Sequence, residues 1–261
     1  MVVVAPGALA GDDVALEPAD AHHLGRVLRL RSGEPVVASD GRGSWRQCVY
    51  APPGGLDATG PVVSENPPAP AIAVGFVPTK GDRPEWTVQK LTELGVDRIV
   101  IVSSGRSVVR WDGERAARHL AKLREVARQA AMQSRRVWLP IVEGVAGFAD
   151  LAAGSWPAGS SPAGSGSAVL PAAVAVAGGG GHRTAWSLAA PGGEAPALGS
   201  AACGAAVGIL VGPEGGWTPE EESVGLRKVG LGELVLRAET AALAAGALLA
   251  GLRAGLVAPA G

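Results

Sequence analysis

The sequence has very little cysteine: Cys48 and Cys203 are the two in 261 residues. They lie far apart, with no Cys-x-x-Cys pair and no histidine at ligand spacing. This pattern excludes a disulfide framework and argues against a structural zinc. We therefore predict that both are small, partly buried apolar side chains, and we predict no metal site.

Long apolar runs are also missing. No stretch reaches the ~18 apolar residues that a membrane span needs, because the Ala-rich segment that starts at Ala241 meets Arg253. Met1–Ala10 contains Pro6 and Gly7 but no Lys or Arg, so it lacks the basic segment of a secretory leader. We therefore expect a cytoplasmic protein without membrane contact. With 47% hydrophobic and 18% charged residues, the composition excludes a disordered chain.

Net charge is close to zero, at −1, but it is unevenly distributed. Residues 80–140 hold 13 basic and 7 acidic residues, whereas the segments on either side are acidic. Arginine supplies 19 of the 23 basic residues, and its planar guanidinium matches the geometry of phosphate groups. The middle of the chain therefore indicates either nucleic-acid binding or a solvated helix face.

The local pattern changes near residue 68. Before it, short strand patterns such as Pro35–Ser39 alternate with turns such as Asp40–Gly43, which predicts a small β-barrel over residues 1–68. The segment Asn66–Pro70 is rich in proline and cannot join a central strand, so it is the predicted domain boundary. Residues 69–261 alternate between strand and helix patterns, which is typical of an α/β fold with a parallel sheet. Within them, about 154–181 form a Gly/Ala/Ser-rich insertion that we expect to be disordered.

Periodicity predicts the individual elements of this second domain. Apolar residues at a 3.6 period predict a long helix after Asp112. We expect a further helix at Pro84–Leu94 and strands at Val137–Val142, Thr184–Ala190 and Val207–Val211.

A glycine-rich segment, Gly212–Gly216, follows the last of these strand patterns. Thr218 and Glu221 then have the spacing of a capping box, with Pro219 just inside it, so a helix is predicted to start there. A strand, a glycine loop and a helix N-terminus together form a cradle for a ligand. No lysine follows the glycines and the spacing is not Gly-x-Gly-x-x-Gly, which excludes the two common nucleotide loops. The alternative interpretation is a tight structural turn.

Two charged residues, Arg237 and Glu239, lie between a predicted short strand at Glu233–Leu236 and a final helix from about Thr240. Packing gives little reason for a charged pair at such a junction, so the pair is a candidate site. The alternative is a surface pair beside a helix that Thr240 caps.

Together, these segments resemble the RsmE family of ribosomal RNA uridine N3-methyltransferases, in the SPOUT superfamily. Gly212–Gly216, followed about twenty residues later by Val235–Ala241, carries most of the resemblance. The further similar segments are His23–Arg29, Lys80–Arg83, Gln89-Lys90, Glu93–Val96, Ser104–Ser107 and Gln133–Arg136. The sequence departs from the family at Gly105 and Met132, where Glu is usual, and at Ala190, where His is common.

The resemblance implies a fold and a cofactor. It implies a SPOUT-type parallel sheet with a deep C-terminal trefoil knot, an exception to the rule that chains are unknotted, and a PUA-like RNA-binding barrel before it. It also implies a homodimer in which the partner completes each site, with S-adenosylmethionine bound by the knot. The implied cofactor-binding residues are Leu188, Ala189, Pro191, Leu210, Gly212, Glu214, Gly215, Gly216, Leu231, Leu236, Thr240 and Ala241.

The implied reaction is methyl transfer to N3 of a uridine in small-subunit (16S) ribosomal RNA, either free or in the assembled subunit. Arg237 is the candidate for stabilising the uracil anion that develops as N3 loses its proton. Glu239 or Glu214 is the candidate proton acceptor, directly or through water, and could instead orient Arg237. Two other functions stay open at this point: ribose 2′-O-methylation by a related SPOUT enzyme, and RNA binding without catalysis.

Methylation of RNA also needs residues that hold its backbone. Phosphate contacts fix the position of the RNA without reading its sequence. The candidate RNA-binding residues are Arg26, Arg29, Lys80, Arg83, Arg106, Arg110, Arg135 and Arg136.

Overall fold

A computed structural model of the protein describes residues 1–153, 184–198 and 206–258. These residues divide into two compact units. The first consists of Met1–Pro67 and Arg128–Leu139, and the second of Pro68–Ala127 and Pro140–Gly261. Arg128–Leu139 thus belongs to the first unit, although it lies far beyond the predicted boundary near residue 68. The predicted insertion and Cys203 lie outside the described residues.

The first unit is built on one five-stranded sheet with the order β1-β3-β4-β5-β2. All neighbouring strands are antiparallel except β1 and β3. Its elements are β1 (Val2–Val3), a 3₁₀ turn (Ala8–Ala10), β2 (Asp13–Ala15), α1 (Pro18–His22), a π-helical turn (His23–Val27), β3 (Pro35–Ser39), β4 (Ser44–Ala51) and β5 (Gly55–Ser64).

The Asp40–Gly43 turn joins β3 and β4, as the sequence predicted. Asp40 Oδ1 accepts hydrogen bonds from the backbone amides of Arg42, at 2.7 Å, and Ser44, at 3.0 Å. Gly41 and Gly43 have φ values of 69° and 93°, which only glycine adopts without strain. Cys48 on β4 is a buried free thiol, and burial raises its pKa.

The second unit is an α/β fold whose six described strands are all parallel, in the order β11-β9-β10-β6-β7-β8. This confirms the predicted fold class. Its elements are β6 (Ile72–Phe76), α2 (Arg83–Glu93), β7 (Arg98–Ser103), α3 (Gly113–Gln133), β8 (Ile141–Gly147), α4 (Phe148–Ala152), β9 (Thr184–Glu194), β10 (Ala206–Val211), α5 (Pro219–Glu222), β11 (Lys228–Val229) and α6 (Ala238–Arg253).

Burial on both faces explains the apolar runs of the central strands. On β6, Ile72, Val74 and Phe76 join one core cluster, and Ala73 joins a cluster on the opposite face. Helix α3 buries Ala116, Leu120, Leu123 and Ala127, which follow the predicted 3.6 period. Its last residues, from Arg128 onward, belong to the first unit. Helix α6 packs closely on α2, since a Cβ at Gly246 would lie 2.7 Å from Leu91 Cδ2.

Two strand predictions were wrong. The strand expected at Val137–Val142 begins at Ile141 and continues to Gly147, because Val137 and Leu139 hydrogen-bond to the turn at Gly41–Gly43. No strand forms at Glu233–Leu236, within a segment that the structure fully describes. The nearest strand is β11, where the Gly230 amide donates to the Glu194 carbonyl at 2.8 Å before the chain leaves the sheet.

Two helix boundaries also differ from the predictions. Helix α6 begins at Ala238 with Arg237 as its N-cap residue, so Thr240 lies inside the first turn and is not the cap. The helix predicted from Thr218 is a single turn. Segments of the predicted knot form the neighbouring strands β9, β10 and β11, and the knot itself stays a prediction.

Candidate functional site

An open cavity of about 300 Å³ lies at the carboxyl ends of three neighbouring strands of the second unit. Parallel strands end at one edge, so the segments that follow β6, β7 and β10 meet there, which is where ligands bind in open α/β sheets. The lining residues are Pro78, Thr79, Lys80, Arg83, Val108, Val109, Pro213 and Glu214. The sequence singled out Lys80, Arg83 and Glu214, together with Pro213 inside the glycine-rich segment, but no motif marks the other lining residues.

The glycine loop, residues 212–217, forms one wall and is held rigidly. The predicted capping box is present: the Glu221 amide donates to Thr218 Oγ1 at 3.2 Å, and the Thr218 amide donates to Glu221 Oε2 at 2.9 Å. Trp217 is 5% exposed and packs beside Phe148. A Cβ at Gly212 would lie 3.0 Å from the Trp217 ring, which is closer than most side chains pack.

A second set of hydrogen bonds ties the glycine loop to the segment after β7. Glu221 accepts from Ser104 Oγ and from the Gly105 amide, each at 2.9 Å. Arg106 Nη1 donates to the Gly215 carbonyl at 2.7 Å. Steric crowding also favours glycine at position 105, because a Cβ there would lie 2.9 Å from Thr218 Cγ2.

Charged groups on α5 complete this region. The backbone amide at Glu220 and then the Thr218 hydroxyl hold the pKa of the Glu220 carboxyl below its usual range. Lys228 lowers the pKa of Glu222, to which it donates a hydrogen bond at 2.7 Å. Both carboxylates are therefore ionised at neutral pH and stabilise the N-terminus of the short helix.

Glu239 pairs with a different arginine from the one that its position in the sequence suggested. Its Oε1 lies 3.5 Å from Arg83 Nη1, and Glu214 Oε1 lies 3.7 Å from the same nitrogen. Glu239 Oε2 is buried and has no hydrogen-bond partner among the described residues. A buried carboxylate oxygen without a hydrogen-bond donor is rare in proteins.

Arg237 is exposed, and its side chain makes no hydrogen bond or ion pair with any described residue. We expected its guanidinium to be fixed by the site. The extended backbone at the α6 N-cap leaves it in solvent instead. Leu234 and Val235, shortly before it, are 81% and 85% exposed, although the sequence suggested a short strand there.

The residues implied for cofactor binding fall into three groups. Leu188 and Leu210 are paired neighbours on β9 and β10, and both residues are fully buried in the core. Gly212, Glu214, Gly215 and Gly216 belong to the glycine loop. Of the rest, Ala189, Leu231, Leu236 and Ala241 pack on one core cluster, while Pro191 and Thr240 are exposed.

The candidate RNA-binding residues belong to both units. Lys80, Arg83, Arg106 and Arg110 lie in the second unit, and Arg26, Arg29, Arg135 and Arg136 in the first.

Two of these arginines in the first unit have unusual backbones. Arg29 and Arg135 have φ values of 55° and 58°, a strained conformation for a residue other than glycine.

Burial lowers the pKa of the Met1 amine, and the charge of Arg135 lowers it further.

Among the described residues, no group of three or more His, Cys, Asp and Glu side chains is placed to hold a metal ion. Within the same residues, no helix is both long enough and apolar enough to cross a membrane.

Comparison with known proteins agrees with this architecture. The RNA methyltransferase domain family matches residues 65–161 and 182–250, and the RNA methyltransferase PUA domain family matches residues 16–58. A relative from Mycobacterium bovis, named ribosomal RNA small subunit methyltransferase E, is 33% identical over 230 residues, which are 85% of this chain and 80% of the relative. The chain belongs to the ribosomal RNA small subunit methyltransferase E family.

Solved structures of similar proteins share the fold. The enzyme of the same name from Neisseria gonorrhoeae, bound to S-adenosylmethionine, is 28% identical with a TM-score of 0.72, over 96% of both chains. A probable rRNA-methyltransferase from Porphyromonas gingivalis is 26% identical with a TM-score of 0.69, over 98% of this chain and 99% of that one. The predicted family and the SPOUT-type fold with a PUA-like N-terminal domain are therefore confirmed.

Proposed function

We propose that the protein transfers a methyl group from S-adenosylmethionine to N3 of a uridine in small-subunit ribosomal RNA. Family membership supports methylation of ribosomal RNA with this cofactor. The observation that carries the proposal to this chain is the cavity at the strand ends, where the glycine loop meets Lys80 and Arg83. Backbone groups for a cofactor and a lysine that can contact RNA thus share one edge of the sheet.

The residues present fit this cofactor. Residues 214–216 are exposed, and a Cβ at Gly215 would have only Arg106 Cδ nearby, at 3.9 Å, so the backbone of the loop is open to a ligand. The orphaned Glu239 Oε2 can accept a hydrogen bond from an ammonium, hydroxyl or amide group. S-adenosylmethionine supplies the methyl group as an electrophile.

The protein must then make uracil N3 a nucleophile. N3 carries a proton at neutral pH, and its loss places negative charge on the base. Arg237 is exposed and unpaired within the described chain, so it is free to stabilise that charge. Glu239 is the better-supported proton acceptor, because it is partly buried and does not contact Arg237. N3 lies on the Watson–Crick edge, so the target uridine must be unpaired.

Nucleoside analysis tests the reaction. Purified protein, S-adenosylmethionine and small subunits from a strain that lacks this gene should yield N3-methyluridine, detected by mass spectrometry after digestion to nucleosides. A 2′-O-methylated nucleoside would identify the ribose enzyme instead. Failure to bind S-adenosylmethionine in calorimetry would indicate an RNA-binding protein without catalysis.

The homodimer also belongs to this proposal. Leu234 and Val235 are far more exposed than apolar side chains usually are, and they immediately precede the catalytic candidates. A second copy covering them would order Arg237. Sedimentation should therefore show a dimer that Leu234→Asp weakens, whereas the same change at exposed Val224 should leave the dimer intact. A location in the cytoplasm stays a prediction.

A further inference from the structure

Arg83 is a cation in the cavity wall whose charge is already engaged. It is the first residue of α2, and one nitrogen, Nη1, lies within ion-pair distance of both Glu214 and Glu239. The two carboxylates come from different segments, the glycine loop and the first turn of α6. A single guanidinium therefore connects three segments of the second unit.

The two ion pairs are not equivalent. The Glu214 side chain is 55% exposed, so water screens its attraction to Arg83, and such pairs contribute little. The Glu239 side chain is only 14% exposed. A carboxylate removed from water needs a paired charge. Arg83 therefore acts mainly on Glu239.

This pairing uses only one oxygen of Glu239. Arg83 lies beside Oε1, whereas Oε2 is buried without a donor among the described residues. A cation held on one oxygen restricts rotation of the carboxylate and keeps the other oxygen directed as an acceptor. Lys80 lines the same cavity but has no ion pair in the described part of the chain, so it is better placed to take a phosphate.

We propose that Arg83 is a positioning residue that holds Glu239, and not a phosphate contact as the sequence suggested. The proposal rests on the proposed function in one respect, that Glu239 takes part in methyl transfer. The Arg83–Glu239 contact itself does not depend on which nucleoside is made.

Steady-state kinetics separates the two roles. Arg83→Ala should lower kcat by about tenfold or more, because the acceptor is no longer fixed. The KM for RNA and its salt dependence should stay within about twofold of the wild type. Lys80→Ala should instead raise the KM for RNA. It should also lower the slope of log affinity for RNA against log salt concentration (the salt slope) by about one unit. Arg83→Lys should restore part of kcat, since an ammonium supplies the charge without the planar fork.

If Arg83→Ala instead raises the KM for RNA and lowers the salt slope as Lys80→Ala does, with kcat intact, Arg83 is a phosphate contact and the proposal fails. A second kinetic test combines Arg83→Ala with Glu239→Gln. When one residue acts only through the other, the double variant should be no slower than Glu239→Gln alone, within about twofold. If the double variant instead loses kcat by the product of the two single losses, the proposal is overturned.

A double-mutant cycle in urea unfolding tests the contact without any RNA. Arg83→Ala and Glu239→Gln should couple by about fivefold in the unfolding constant. The matched cycle with Glu214→Gln should couple by less than about twofold, because that pair is more exposed. Equal coupling, or none, would overturn the proposal. If the wild type makes another nucleoside while the coupling is present, the proposed function fails and the Arg83 contact stands.

Discussion

The glycine loop, residues 212–217, contains the first motif of the resemblance, and the α6 entry loop, residues 231–237, contains the start of the second, but the two loops are built in opposite ways. The glycine loop has few side chains, and hydrogen bonds from Arg106, Thr218 and Glu221 hold it and its flanking segments. The α6 entry loop has large side chains, and Leu234 and Val235 are exposed. The first loop is held by contacts within this chain, whereas Leu231 and Leu236 of the second pack on the core and the side chains of Leu234 and Val235 lie in solvent.

This difference has an energetic consequence. A loop that is already fixed presents its backbone groups without further loss of conformational entropy when a ligand binds. A loop without contacts must be ordered during binding, which costs about 1–2 kcal/mol for each residue fixed. We therefore expect changes in the glycine loop to affect cofactor affinity and changes near Arg237 to affect the rate.

The largest effect is expected at the end of the α6 entry loop. Arg237→Ala should lower kcat by about 10²–10³, the usual cost of removing one donor to charge that develops in the transition state, and leave the affinity for S-adenosylmethionine nearly unchanged. Arg237→Lys should recover only part of the rate. Single-turnover kinetics at saturating RNA and calorimetry measure the two quantities. If Arg237→Ala instead weakens S-adenosylmethionine binding and leaves kcat unchanged, Arg237 is a cofactor-binding residue. The two loops would then not differ in function as expected.

The next effect is expected in the glycine loop. Gly215→Val should weaken S-adenosylmethionine binding by about tenfold or more, or ~1.4 kcal/mol, because a branched side chain covers the open backbone. The protein should still fold, since the nearest atom to a Cβ is 3.9 Å away. Gly11→Val is the control, at an extended glycine of the first unit. Unchanged affinity in a folded Gly215→Val protein would remove the loop from the cofactor site.

A smaller effect tests how the glycine loop is held. Thr218→Ala removes the cap of α5 and should cost about 1 kcal/mol of unfolding free energy, measured in urea. Thr240→Ala should cost much less, because Thr240 is not the cap of α6. Equal costs would show that the capping box does not stabilise the loop.

The smallest effect concerns two arginines that differ in their contacts. Arg110 is exposed and unpaired in the described chain, so Arg110→Ala should lower the salt slope of RNA binding by about one unit and spare cofactor affinity. Arg106→Ala should reduce both the salt slope and the affinity for S-adenosylmethionine, because Arg106 also donates a hydrogen bond to the Gly215 carbonyl. Binding isotherms at several salt concentrations measure the slope. Identical behaviour of the two variants would mean that the Arg106 contact contributes nothing to the loop.

The sequence by itself determined the fold class and the glycine loop. Apolar runs such as β6 predict buried parallel strands, and the spacing of Thr218, Pro219 and Glu221 predicts a helix start, because both patterns depend on neighbouring residues alone. The order and spacing of the two motifs were enough to indicate the family that the comparisons then showed. These are the parts of the molecule where local sequence and final structure agree.

Only the tertiary structure decided which charged groups meet. Arg83 and Glu239 are more than 150 residues apart in sequence, and packing of α2 beside α6 brings them within 3.5 Å. The same holds for Leu234 and Val235, whose apolar character suggested a strand, although β11 had already ended and left them in solvent. Residue type sets what a side chain can do, but the partners of a charge depend on which distant segments the sheet brings to the same edge.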